Sequence, residues 1–104
     1  METNPKIKIF IVDDDALFLK LLEIKYLQQE NFIIEAYSTG ELCLENLPHK
    51  PDIIVLDYHM DSVDKKAMNG IETLDKIKAY NPDIPMVILS SQDKIDIAIK
   101  SVDH

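Results

Sequence analysis

The sequence predicts an α/β fold in which a doubly wound parallel sheet carries helices on both faces. Three observations predict it. Short β-branched apolar runs alternate with segments of helical periodicity along the whole chain. The runs are apolar almost throughout, as strands covered on both sides are. The resulting order, βαβαβαβα, implies parallel strands joined by right-handed crossovers. With 104 residues the chain has room for one domain. A domain of that size buries roughly 60–70% of the surface its unfolded chain exposes.

The elements follow in order. Ile7–Val12 is a buried strand that ends abruptly at Asp13-Asp14-Asp15. Residues 16–29 form a helix with Leu17, Leu21 and Ile24 on one face and Phe18 and Leu22 beside it. Asp15 is its N-cap. Phe32–Tyr37 is the second strand. Ser38 and Glu41 have capping-box spacing, with Ser38 at the cap of a short helix running to about Leu47. Pro48 and Pro51 break the chain. A third strand from Ile53 to Leu56 ends at Asp57. Asn69-Gly70 precedes a helix with Ile71, Leu74 and Ile77 at helical spacing, stopped by Asn81-Pro82-Asp83. Met86–Leu89 is the fourth strand and ends at Ser90-Ser91. The last segment places Ile95, Ala98, Ile99 and Val102 at i, i+3, i+4 and i+7. It also alternates at Ile95, Ile97 and Ile99, so a strand stays open, but its place after a strand favours helix.

Composition narrows the function. The formal net charge is −8, which argues against nucleic-acid binding by this segment, since phosphate contacts need clustered Lys and Arg. Acidity otherwise reads as solubility, or as carboxylates gathered to hold a cation. The single cysteine, Cys43, lies in the run Leu42-Cys43-Leu44 and reads as a small buried hydrophobe. That usage fits a cytoplasmic location. No apolar stretch approaches the ~20 residues of a membrane span, and the N-terminus lacks a signal peptide's regions.

Three strands end in chemically competent residues: Asp13 and Asp14 after the first, Asp57 after the third, Ser90 after the fourth. In the flavodoxin-like order 2-1-3-4 these strands are neighbours, and ligands bind beyond their carboxyl ends. Adjacent strands lie ~4.8 Å apart, so the carboxylates and the hydroxyl share one cleft. Carboxylates so close repel one another, and a hard divalent cation relieves the repulsion. Mg2+ takes one or two carboxylates plus phosphate oxygens, and a carboxylate beside it can attack phosphorus. Taken singly, each feature has a plainer reading. Asp13-Asp14-Asp15 can be a turn and a cap, Asp57 a turn residue, Ser90-Ser91 an N-cap, and His59 an exposed loop residue. The three strand ends together favour a site.

Val12-Asp13-Asp14-Asp15, Ile54-Val55-Leu56-Asp57-Tyr58-His59-Met60, Asn69-Gly70-Ile71-Glu72 and Pro85-Met86-Val87-Ile88-Leu89-Ser90 resemble, in order and spacing, the motifs of response-regulator receiver domains of two-component signalling. The resemblance runs from about Lys6 to the end. It implies a phosphoacceptor at Asp57, fed by a partner histidine kinase or phosphotransfer protein. It implies Mg2+ held directly by Asp14 and Asp57, by Asp13 through water, and by the backbone carbonyl of His59. Ser90 would hydrogen-bond the phosphoryl group and pull the following loop inward as a switch.

Two departures from the family pattern stand out. Met60 is followed by Asp61 where the family has Pro, and Gly70 comes late, so the loop 61–69 is long and brings Asp61, Asp64, Lys65 and Lys66 near the cleft. The family's fifth strand and helix, with a phosphate-binding Lys and an aromatic switch residue, would follow His104. The chain therefore reads as one receiver domain over residues 1–104, C-terminally incomplete. Its fourth strand would be an exposed apolar edge, and a homodimer through the fourth strand and helix is one way to cover it. Two alternatives stay open. One is a Mg2+-dependent phosphohydrolase with an aspartyl nucleophile, disfavoured by His59 where that class has a second Asp. The other is a degenerate receiver that only binds protein.

Overall fold

A computed structural model of the chain describes residues 6–26, 31–60 and 68–102. Four parallel strands, β1 (Ile7–Val12), β2 (Phe32–Tyr37), β3 (Ile53–Asp57) and β4 (Met86–Leu89), form one sheet in the order β2-β1-β3-β4. The helices are α1 (Ala16–Tyr26), α2 (Gly40–Glu45), α3 (Gly70–Tyr80) and α4 (Ser91–Val102), with a 3-10 turn at Leu47–His49. The last segment is thus a helix, and the predicted fold class and strand order hold.

Strand alternation divides the core in two. Phe10, Val12, Ile54 and Leu56 pack with Cys43, Leu47 and Ile77 on the α2–α3 side. Ile9, Ile11, Val55 and Leu89 pack with Phe18, Leu19, Leu22 and Ile97 on the α1–α4 side. Phe10, Val12, Ile54 and Ile77 are fully buried, and each contributes on the order of 2 kcal/mol of transfer free energy. The register sets Val12 beside Leu56 and Asp57 beside Leu89. Asp13 just after β1, Asp57 at the last position of β3 and Ser90 just after β4 therefore come to the same end of the sheet within about one residue of register.

Local chemistry starts the helices, and at α1 it is the cap the sequence predicted. Asp15 Oδ1 accepts from the backbone N–H of Leu17 and Phe18, capping α1. Asn69 and Glu72 form a reciprocal capping box on α3. Gly70 is required by close approach. A Cβ there would lie 2.7 Å from the carbonyl oxygens of both Asp57 and Tyr58, so only glycine lets α3 begin against the end of β3.

Several sequence expectations are corrected. The cap of α2 is Thr39, whose hydroxyl accepts from Leu42 N. Ser38 does not serve. Glu41 instead accepts from Met68 N at 2.9 Å, tying α2 to the approach to α3. On α1 the buried residues are Phe18, Leu19 and Leu22, whereas Leu17 is 80% and Ile24 61% exposed. On α3, Thr73 takes the buried position next to Ile77, and Ile71 is exposed. On α4, Ile95 and Ile99 face outward and Ile97 packs inward. In each case the spacing is helical but the rotation about the axis is set by the cap and the sheet. The end of the first helix after Tyr26 and most of the long loop, with Asp61, Asp64, Lys65 and Lys66, lie outside the described residues.

Among the described residues β4 is a sheet edge, and its Val87 and Ile88 are exposed. On the α1–α4 side an apolar groove of about 210 Å3 is lined by Ile11, Leu22, Val55, Val87, Leu89 and Ile97, with others.

Candidate functional site

Asp13 and Asp57 continue the alternation of Ile11 and Val55, so both turn to the side of the sheet that α1 and α4 cover. They are 1% and 3% exposed. Asp14, one residue on, is exposed. One carboxylate oxygen from each of Asp13, Asp14 and Asp57 falls within 4.8 Å of the other two. The three acids singled out in the sequence thus converge at the carboxyl end of the sheet.

Backbone donors hold the two buried carboxylates. Asp13 Oδ1 accepts from Asp15 N at 2.9 Å, and Asp57 Oδ1 accepts from His59 N at 3.1 Å. The His59 imidazole is exposed and lies edge-on to Tyr58, with ring centroids 4.9 Å apart. It does not join the acidic group. Burial pushes the Asp13 carboxyl up to about 6, and the neighbouring Asp57 charge acts in the same direction. Hydrogen bonds from Lys94 and the Asp15 N–H partly offset this. Asp14 is also raised, by desolvation and then by Asp57.

Lys94 is the site residue that sequence reasoning missed. Its ammonium donates to Asp13 Oδ1 at 3.1 Å and to Asp57 Oδ2 at 3.4 Å, and it lies 2.9 Å from Asp13 Oδ2. Burial works against its charge, but the hydrogen bond it donates to Asp13 and the charges of Asp13 and Asp57 outweigh it and raise its pKa. The ammonium also lies 5.1 Å from the centre of the Phe18 ring. The available signal was its position in the first turn of the helix that follows Ser90.

Ser90 is partly buried at the end of β4, but its hydroxyl is engaged locally. It donates to Asp93 Oδ2 at 2.9 Å and accepts from Asp93 N at 3.1 Å, while Ser90 N donates to Asp93 Oδ2 at 2.8 Å. These bonds cap α4 and hold the Asp93 carboxyl below its usual range.

The donor set suits a small hard cation. Three carboxylates supply oxygen ligands. Asp13 Oδ2 is buried without a hydrogen-bond donor of its own; Lys94 meets it only as an ion-pair contact. That oxygen faces a cation, and a bound metal ion could supply the same neutralisation.

The family model of the response regulator receiver domain matches residues 9–104. The chain is similar to a protein-glutamate methylesterase/protein-glutamine glutaminase of Clostridium acetobutylicum, 38% identical over 88 residues, which covers 83% of this chain and 24% of that protein. It is 30% identical over 101 residues to the transcriptional regulatory protein ZraR of Klebsiella oxytoca, covering 96% of this chain and 21% of that one. The chain thus spans about a quarter or less of the length of these relatives. Among solved structures, the N-terminal domain of a response regulator receiver protein from Methanoculleus marisnigri superposes with a TM-score of 0.64 at 28% identity, over 86% of this chain and 74% of that one.

Proposed function

Because the chain belongs to the response regulator receiver domain family, we propose that it is a phosphoacceptor switch whose acceptor is Asp57. The observation that carries this reading is the burial of Asp57 at the end of β3 with the carboxylates of Asp13 and Asp14 within 4.8 Å. A phosphohistidine on a partner kinase or phosphotransfer protein is the donor. An Asp57 oxygen attacks phosphorus, the P–N bond breaks, and the imidazole leaves with the electron pair. The His59 N–H fixes one Asp57 oxygen, which leaves Oδ2, on the Lys94 side, as the oxygen to be phosphorylated.

Asp14 and Asp57 directly, Asp13 through water, and the His59 carbonyl would hold Mg2+. When bound, that ion neutralises charge on the transferred group. Ser90 would leave its bonds with Asp93 to reach the phosphoryl oxygens, which links transfer to the start of α4. The exposed Val87 at the β4 edge, on the side that α4 covers, and Ile95 and Ile99 on α4 offer a surface for a second copy or another partner. Cytoplasmic residence fits this role; among the described residues no helix is long and apolar enough to cross a membrane.

The test is intact mass after incubation with acetyl phosphate and Mg2+. The protein gains one phosphoryl group and Asp57→Asn gains none. Equal labelling of Asp57→Asn would remove Asp57 from the role.

A further inference from the structure

Lys94 meets the same two buried carboxylates that a divalent ion would use. Its ammonium is 2.9 Å from Asp13 Oδ2 and 3.4 Å from Asp57 Oδ2, and its side chain is 17% exposed. Mg2+ needs oxygens at ~2.0–2.1 Å. An ion held by Asp57, and by Asp13 through its water, would therefore claim the carboxylates that the ammonium contacts, and two cations there repel. The lysine is not a loose surface chain. Its backbone N–H donates to Ser90 O at 3.1 Å, which fixes it in the first turn of α4. The same turn holds the Ser90–Asp93 bonds.

We propose that Lys94 is a tethered counter-cation that competes with the divalent ion for Asp13 and Asp57, so that metal entry and release of the first turn of α4 are one coupled step. The inference rests on the metal site of the proposed function. Binding coupling is reciprocal: if Lys94 weakens the ion's hold, the ion weakens Lys94's hold by the same factor. The buried acids are then never left without a cation. In the resting state the charge comes from α4, and in the loaded state from solution. Ser90 and Lys94 share that turn, so loading the site also frees the hydroxyl that the phosphoryl group would recruit.

The experiment is titration of the full chain with Mg2+, followed by calorimetry and by backbone amide shifts. Lys94→Met keeps the aliphatic stem and removes the charge; Lys94→Gln is a second neutral variant in case the first does not fold. Lys94→Arg keeps the charge. Each neutral variant binds Mg2+ ~5-fold or more tightly than the parent, the lower range of ordinary site coupling. Lys94→Arg stays close to the parent. Mg2+ shifts the amides of residues 91–97 in the parent and shifts them less in the neutral variants. Mg2+ affinity in the neutral variants equal to or weaker than the parent's overturns the competition while leaving the metal site standing. Absence of saturable Mg2+ binding in parent and variants alike overturns the metal site and the competition together.

Discussion

Lys94 and Asp13 stand 81 positions apart in the chain, yet the ammonium of one lies 2.9 Å from a carboxylate oxygen of the other. Strand parity turns Asp13 toward the α1–α4 side, and the cap at Ser90 sets the rotation of α4 so that Lys94 points back over the strand ends. The contact joins the acidic pocket to the helix that would carry the signal.

Asp15 caps α1 and leaves the pocket to its neighbours. Asp15→Ala should lower unfolding free energy by about 1 kcal/mol, and Asp15→Asn by less, since Asn caps comparably. Asp14→Asn should weaken Mg2+ binding where Asp15→Asn does not. Urea melts and a Mg2+ titration check both; equal losses of affinity would mean that the acidic pair is misassigned.

Ser90→Ala should still accept the phosphoryl group at Asp57 but transmit it poorly. It also loses the bonds to Asp93, at about 1 kcal/mol of helix stability. Amide shifts of residues 91–102 with and without beryllofluoride separate the two effects. A normal beryllofluoride response in the variant would show that the hydroxyl is only a cap.

Gly70→Ala should disturb the acceptor loop, because the new Cβ would meet two backbone oxygens at 2.7 Å and backbone yields little. Overpacking of this kind costs roughly 1–3 kcal/mol. We expect a lower urea midpoint together with slower labelling of Asp57. A variant as stable as the parent would mean that α3 can shift away from β3 freely.

Burial pushes the Cys43 thiol from its ordinary 9.0 up to about 12. The native thiol keeps its proton where the unfolded one loses it, so stability is full below pH 9 and falls as pH rises from 9 to 12. Cys43→Ala should flatten that part of the stability profile. Thiol reagents at pH 8 should label the protein only after denaturant is added.

The sequence by itself determined the alternation of elements, the parallel sheet, the strand ends at Asp13, Asp57 and Ser90, and the cap at Asp15. Those signals are short in range. Apolar runs, caps and breakers act over a few residues, and their alternation implies parallel strands with right-handed crossovers; the order 2-1-3-4 came from the flavodoxin-like pattern of such sheets. Only the tertiary structure decided which face of each helix is buried. Leu17, Ile71, Ile95 and Ile99 have helical spacing, but spacing leaves the rotation about the axis free until the sheet and the cap fix it. The structure likewise chose Thr39 over Ser38 at the start of α2. It also brought in Lys94, which in the sequence is one lysine among several on a polar helix. Its role depends on where α4 crosses the strand ends, a distance relation between residues far apart in the chain that no local pattern encodes.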